Sequence, residues 1–306
     1  MNTSRTSASD QIFRSLLQKA VRRGAVEVAE KAAIHLMQMG DTNWLKNRLG
    51  VITFEEAWRH TNEIQFTTSE AILLKQYTEI ARLPKNKNAA GLGSLGYELS
   101  KGTNSVLLKN NKGNRDIRII AEALTRPDDF WQWIKNYNSK SAESIFLKNA
   151  ETGFRLAGWP WDKAFALASA YLFVTDKSLE PESQSPATNT NFPYWIAIDK
   201  HTSIGKKAIS VCAEKLKLNK NKLAWIQFYL ESAKCENLQP SPWWEREKAW
   251  RLASEGTDEQ KAKIIWHDAS VFLRELLEQY EIAAIEKLES SVNLYKNTLK
   301  HQSKLI

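Results

Sequence analysis

Asp10-Gln-Ile-Phe13-Arg-Ser-Leu16-Leu17-Gln-Lys-Ala20-Val21-Arg-Arg-Gly24, continued by Val28-Ala29-Glu-Lys-Ala32-Ala33-Ile-His35-Leu36-Met37-Gln-Met-Gly40, decides the fold class. The apolar residues recur at steps of three and four, the spacing that puts them on one face of an α-helix. Asp10 is a candidate N-cap, and Gly24 and Gly40 are helix stops. Asp41 then opens a third helix with Trp44, Leu45 and Leu49. Short helices joined this tightly read as stacked antiparallel hairpins. His35, beside the second apolar stripe, reads as a packed core histidine rather than a ligand.

The rest of the chain repeats the pattern. Ala71, Leu74, Tyr77 and Ile80 make a helix that ends at Pro84, and Ile119, Ile120, Ala123 and Leu124 make another. The run Ala164-Phe-Ala-Leu-Ala-Ser-Ala-Tyr-Leu-Phe-Val174, started by Pro160 and Asp162, is the most hydrophobic helix and is expected at the centre. From Asp258, Ile265, Ala269, Phe272, Leu276, Tyr280, Ala284, Leu288, Val292, Tyr295 and Leu299 predict a long C-terminal amphipathic helix, a candidate self-association seam. The expected fold is therefore all-α, an array of packed antiparallel helices in two lobes. Residues 1–175 form the first lobe, the polar Pro/Ser/Asn-rich 176–193 a linker or long loop, and 194–306 the second.

Composition agrees. Twelve Gly and 8 Pro in 306 residues leave an all-β fold short of turn residues. No run reaches the roughly 18 apolar residues that span a bilayer, and the polar N-terminus has no secretory core, so a cytoplasmic protein is expected. Cys212 and Cys235 have neither metal-ligand nor disulfide-framework spacing. His60, His267 and His301 fit no zinc pattern, and no Gly-x-x-x-x-Gly-Lys-Ser/Thr loop is present to cradle a triphosphate. Neither a metal nor another cofactor is expected. Gly91-Leu-Gly93-Ser-Leu-Gly96 spells Gly-x-Gly-x-x-Gly, but no strand feeds into it, so Lys85–Gly96 reads as a flexible inter-helix loop instead of a dinucleotide fingerprint.

Chemistry concentrates in Trp195-Ile-Ala-Ile-Asp199-Lys-His201-Thr202-Ser-Ile-Gly205-Lys206-Lys207-Ala208. Asp199 and His201 could fix an irregular turn. With Thr202 as N-cap and two lysines following, the stretch could alternatively bind phosphate at a helix N-terminus. An Asp199–His201 general-base dyad is the third option, without an evident nucleophile. Lys206, Lys207, Lys215, Lys217, Lys220 and Lys222 form the densest basic run of a chain with formal charge +8. Trp225, Phe228 and Tyr229 follow; they could stack bases, though their spacing fits a core face.

Residues 10–58 resemble the C-terminal helical region of the replication-associated recombination protein A family, relatives of the Werner helicase interacting protein. The likeness lies in Ser15-Leu-Leu-Gln-Lys-Ala-Val-Arg-Arg-Gly24, the Ala-rich Ala29–Met39, Gly40-Asp-Thr-Asn-Trp44 and Arg48-Leu-Gly-Val-Ile-Thr-Phe-Glu-Glu56. Trp44 stands near the family's Pro-Leu, and Glu55-Glu56-Ala57 replaces its Glu-Asp-Ile/Val-Gly. A run like Ala197-x-Asp199-x-His201-Thr202-x-x-Gly205-Lys206-Lys207 also occurs in helical regions attached to some AAA+ relatives. The resemblance implies an all-α, clamp-loader-collar-like region that mediates oligomerisation beside an AAA+ ATPase, which this chain lacks. The expected function is then a non-enzymatic protein of DNA replication, recombination or repair. It would self-associate and contact DNA, an AAA+ ATPase or a replication protein through His201, Thr202 and the lysines from 206 to 222. The alternatives are a helical scaffold or adaptor without nucleic-acid contact, phage- or defence-related, and a hydrolase using the Asp199–His201 dyad.

Overall fold

The structure is a computed structural model describing residues 8–102, 107, 109, 114–137, 144–175 and 191–302. It is all-α, and no β-strand occurs among the described residues; extended pairing is limited to single-residue bridges between Ala57 and Asn86 and between Lys85 and Leu238. Helices α1 (Ala8–Arg22), α2 (Val26–Gln38) and α3 (Thr42–Glu56) form the predicted antiparallel hairpins. Gly24 and Gly40 turn the chain between them at φ 66° and 81°, values a residue without a Cβ adopts cheaply. Helix α1 starts before Asp10, which lies inside its first turn rather than at a cap. His35 is buried, with Nδ1 2.8 Å from Ser291 Oγ and its ring against Phe13, as a core histidine should be.

After a 3₁₀ turn at Trp58–Glu63 come α4 (Glu70–Arg82) and α5 (Asn88–Lys101), then α6 (Arg115–Thr125), α7 (Pro127–Tyr137), α8 (Ile145–Leu156) and α9 (Pro160–Thr175). The second half contains a 3₁₀ turn at Tyr194–Ala197, α10 (Ser203–Lys215), α11 (Lys220–Gln227), a π-helical turn at Phe228–Ser232, α12 (Pro242–Ser254) and α13 (Glu259–Gln302).

The expectation of a flexible loop at Lys85–Gly96 is overturned. All three glycines lie in α5, and the helix is buried from Asn88 to Gly96. A Cβ on Gly91 would overlap the backbone of Trp243 and Trp244 at the start of α12. One on Gly93 would lie 2.9 Å from the Ala164 carbonyl in α9, and one on Gly96 would lie 2.6 Å from Ile120 Cγ2 in α6. The glycines forgo helix propensity, roughly 1 kcal/mol each, and gain close helix approach on three sides. The hydrophobic α9 packs on α5, α6 and α8, as its composition predicts.

Preceding α5, Lys85 and Lys87 are fully buried. Lys85 Nζ donates to the carbonyls of Ile80 and Ala81 at 3.0 Å and to that of Leu83, closing the C-terminus of α4 with a cation.

Residues 176–190 of the expected linker lie outside the described residues. Elements on both sides contribute to one hydrophobic cluster, which runs from Phe13 and Leu16 through Leu92 and Leu167 to Trp195, Ile209 and Leu273. Helix α13 is the long C-terminal helix that the periodicity predicts, and Asp258 caps it by accepting the Lys261 N–H at 2.8 Å. Its buried stripe is Ala262, Trp266, Ala269, Leu273, Leu277, Ala284, Leu288 and Val292. Ile265, Phe272 and Leu276 flank that stripe instead of centring it, and Tyr280 is exposed. Adjacent apolar pairs along the helix let the sequence fit either register.

Candidate functional site

The Asp199–Thr202 stretch forms a tight turn into α10. Asp199 is fully buried. Its carboxylate accepts the His201 backbone N–H at 3.0 Å, faces His201 Nδ1 at 3.1 Å from each oxygen, and pairs with Lys19 Nζ at 2.9 Å. Thr202 is also fully buried: its hydroxyl donates to Asp199 O at 3.1 Å and accepts the Gly205 N–H at 3.0 Å, making it the predicted N-cap. A Cβ on Gly205 would overlap the Asp199 carbonyl, so the glycine allows the turn to close against the helix. Gln11 accepts the Ser203 N–H at 3.3 Å. The helix N-terminus is thus capped by the chain itself, and the one Thr202 hydroxyl proton is given to the Asp199 carbonyl, leaving none to donate to a phosphate.

Burial raises the Asp199 pKa, but His201 and Lys19 outweigh it and hold the carboxyl well below the usual carboxylate range. For Lys19 the balance is opposite: burial lowers its pKa more than Asp199 restores it. Desolvation also lowers the pKa of His201 against the pull of Asp199, although its side chain keeps 55% exposure, and water at an open ring weakens that effect. Of Asp199, Lys200, His201 and Thr202, only His201 is exposed. The Asp-His pair is a turn-fixing unit with an ion pair behind it. Asp199→Asn should cost about 2 kcal/mol in a urea melt, because it strands the Lys19 ammonium. His201→Ala should cost less than about 1 kcal/mol, the range of exposed pairs. Equal losses from the two substitutions would contradict this division of labour.

Sequence reasoning missed what lies behind Lys19. Arg22 donates to Glu56 and to Glu55, both at 2.7 Å, and to the Ser232 carbonyl at 2.6 Å in the π-helical turn. Lys87 reaches Glu56 at 3.0 Å and Glu55 at 3.5 Å. All four charged residues are buried. Burial pushes the Glu55 carboxyl up, but Arg22, then Lys87 and Arg48, bring it down to about 2. Two acids closing the otherwise apolar Gly50-Val-Ile-Thr-Phe54 were the available signal. Cys235 packs beside this cluster, and burial raises its thiol to about 12; Cys212 is raised to about 11, so neither is an activated nucleophile.

The basic run is dispersed over a surface. Lys206, Lys207 and Lys215 are exposed on α10, Lys217 and Lys220 in and after its closing turn, and Lys222 is half-buried. Lys222 Nζ contacts the Gly256 carbonyl at 3.4 Å, and Lys215 Nζ lies over the Phe272 ring at 3.6 Å. Lys206, Lys207, Lys217 and Lys220 form no ion pair among the described residues.

The aromatic residues that follow are committed elsewhere. Trp225 stacks on Tyr229, and Phe228 meets both rings edge-on. Lys200 Nζ lies 2.9 Å from the Trp225 ring centre and 4.5 Å from that of Phe228, while Arg251 Cζ is 4.3 Å from Trp225. Desolvation, opposed by Asp199 and aided by Arg251, lowers the Lys200 pKa to about 7. Trp225 therefore carries two cations and belongs to the packing, as its spacing suggests, and is not an open stacking platform.

No group of three or more His, Cys, Asp or Glu side chains suited to a metal occurs among the described residues. Among those residues, no helix is long and apolar enough to cross a membrane. Comparison of the chain with protein-family models, curated proteins and solved structures returned no match.

Proposed function

We propose that this protein is a non-enzymatic component of DNA metabolism that contacts nucleic acid through the α10 surface and the turn into α11. The observation that carries the reading is the set of exposed cations without ion pairs among the described residues, Lys206, Lys207, Lys217 and Lys220, close together in sequence on one helix and the turn that leads into the next. His201, half open at the start of the same helix, can add a contact. Such a surface suits phosphates, whose recognition is electrostatic and independent of sequence; the Trp225, Phe228 and Tyr229 rings that follow it are packed on one another. The resemblance of residues 10–58 supplies the replication and repair setting and suggests an AAA+ ATPase or replication protein as partner.

Binding of labelled single- and double-stranded DNA should weaken with salt. Three or four phosphate contacts on duplex DNA give a log–log slope of about −3 to −4. Combining Lys206→Glu, Lys207→Glu and Lys217→Glu should flatten the slope by about 3 and leave the melting temperature unchanged. A salt-independent signal, or one untouched by these changes, removes the DNA reading.

A scaffold role is favoured by a separate observation. Ile264, Val271, Ile282 and Leu294 are exposed along α13, giving the helix apolar residues on its outer side. Light scattering of the full chain decides whether that side self-associates: a mass of 35.0 kDa would leave it unpartnered by a second copy.

A further inference from the structure

A cavity of about 590 Å³ lies away from the lysine surface, where the N-terminus of α5, the first turn of α6, the end of α9 and the loop entering α12 converge. Its walls include Arg59, Asn88, Asp116, Tyr171, Gln239 and Trp243. The volume falls within the range of small-molecule sites, about 300–1,000 Å³. Of its polar groups, Asn88, Asp116 and Gln239 each keep an atom that makes no hydrogen bond among the described residues.

Asn88 keeps only 9% of its surface exposed. Its Oδ1 accepts the Trp243 N–H at 3.1 Å, which fixes the amide plane, and its Nδ2 donates to nothing among the described residues. Asp116 Oδ1 accepts the Tyr171 hydroxyl at 2.5 Å, while Oδ2 accepts nothing among the described residues. The Gln239 side-chain amide is likewise unengaged among them, and its backbone is pinned by donating to the Lys85 carbonyl at 2.7 Å. The Asn88 amide donor and the second Asp116 carboxylate oxygen thus line one cavity with hydrogen-bonding capacity that the described residues do not use, which a guest can take up. Trp243, on the same wall, is a half-buried indole with Arg246 Cζ 5.5 Å from its ring centre.

We infer that this cavity binds a purine base, as a free nucleoside or nucleotide, with guanine preferred. A guest must be flat enough to lie on an indole and must carry donors and an acceptor along one edge. Guanine does so: N1–H and N2–H₂ donate side by side and O6 accepts next to them. Asp116 would take the two donors, since a carboxylate can accept more than one hydrogen bond per oxygen, and Asn88 Nδ2 would donate to O6. Adenine offers one donor and one acceptor to the same pair and therefore makes one hydrogen bond fewer. Pyrimidines stack less area on Trp243. The site is independent of the proposed DNA contact, because none of its residues belongs to the lysine surface.

Isothermal titration of the full chain with guanosine, adenosine, cytidine and uridine, each to millimolar concentration, tests the inference. Guanosine should bind, adenosine more weakly, and the pyrimidine nucleosides weakest. Asp116→Asn retains an acceptor for Tyr171 and should keep the melting temperature, yet weaken guanosine about ten-fold or more, the loss expected for one charged hydrogen bond. Gln239→Ala, at the half-buried rim, provides a second variant whose folding is not at stake. Lys206→Glu should leave nucleoside binding intact whatever it does to DNA. Absence of guanosine binding at millimolar concentration would overturn the inference. So would equal affinity for all four nucleosides, or guanosine affinity unchanged in both Asp116→Asn and Gln239→Ala.

Discussion

Gly91→Ala is expected to destabilise the protein by about 3 kcal/mol or more, measured by urea or thermal unfolding, although it adds the best helix former to the middle of a helix. Propensity alone gives the opposite sign: alanine in place of glycine favours a helix by roughly 1 kcal/mol and also restricts the unfolded chain. The contact decides otherwise. The new methyl would overlap the backbone of Trp243 and Trp244, and a backbone cannot rotate aside as the end of a side chain can. Relief requires α5 and α12 to separate. That movement would break the hydrogen bond from Trp243 N to Asn88 Oδ1 and loosen the cation–π contact of Lys87 with Trp244, 4.5 Å from the ring centre. Overpacking of this kind costs about 1–3 kcal/mol, and more where the neighbour cannot yield. Gly96→Ala should cost less, because Ile120 Cγ2 is a side-chain methyl that can shift, although the Ala121 nitrogen behind it at 3.3 Å limits how far. A neutral or stabilising Gly91→Ala would mean that α5 and α12 can separate at little cost.

The same glycines mark where the sequence stops being readable. Apolar spacing reveals α1, α2, α9 and α13 because burial on one side imposes it directly on residue choice. Thr202 and Gly40 were legible as cap and stop for a similar reason: the backbone groups they serve are local. In α5, the small residues Gly91, Gly93, Ser94 and Gly96 sit where bulky apolar ones would mark a stripe, and they serve three neighbours distant in the chain. Locally that composition is indistinguishable from a loop. Lys87 and Glu56 deceive in the same way, since a charge in sequence reads as solvent-facing until its partner is placed. The Asp199–His201 pair was visible as neighbours, but Lys19, which explains why that turn can be buried, lies at the other end of the fold's sequence.

Arg22→Met should cost about 3–5 kcal/mol at pH 7, the largest loss expected here from a charge substitution, because the arginine closes a buried network rather than decorating a surface. Three polar connections disappear together: those to Glu55, to Glu56 and to the Ser232 carbonyl. Methionine fills much of the volume, so the loss measures uncompensated charge more than a cavity. Lys87, helped by the weaker pull of Arg48, is then left with two buried carboxylates, and breaking one side of a buried pair typically costs about that much. The pH dependence gives the proposal its sign. Glu55 has a folded pKa of about 2 against 4.5 for the free group. Its ionisation therefore stabilises the native state in full above about 4.5, and the contribution fades as pH falls from there towards about 2. Without Arg22, the first of the charges that lower it, Glu55 would take up a proton at higher pH, and the variant would relieve its stranded charge by doing so. The gap between wild type and Arg22→Met should accordingly narrow on going from pH 7 to pH 4, even as the wild type itself begins to weaken. Urea titrations at the two pH values measure it directly. A gap that stays constant, or widens in acid, would show that Arg22 acts through packing of its aliphatic stem and the Ser232 carbonyl, leaving Glu55 and Glu56 to be balanced by Lys87 and Arg48.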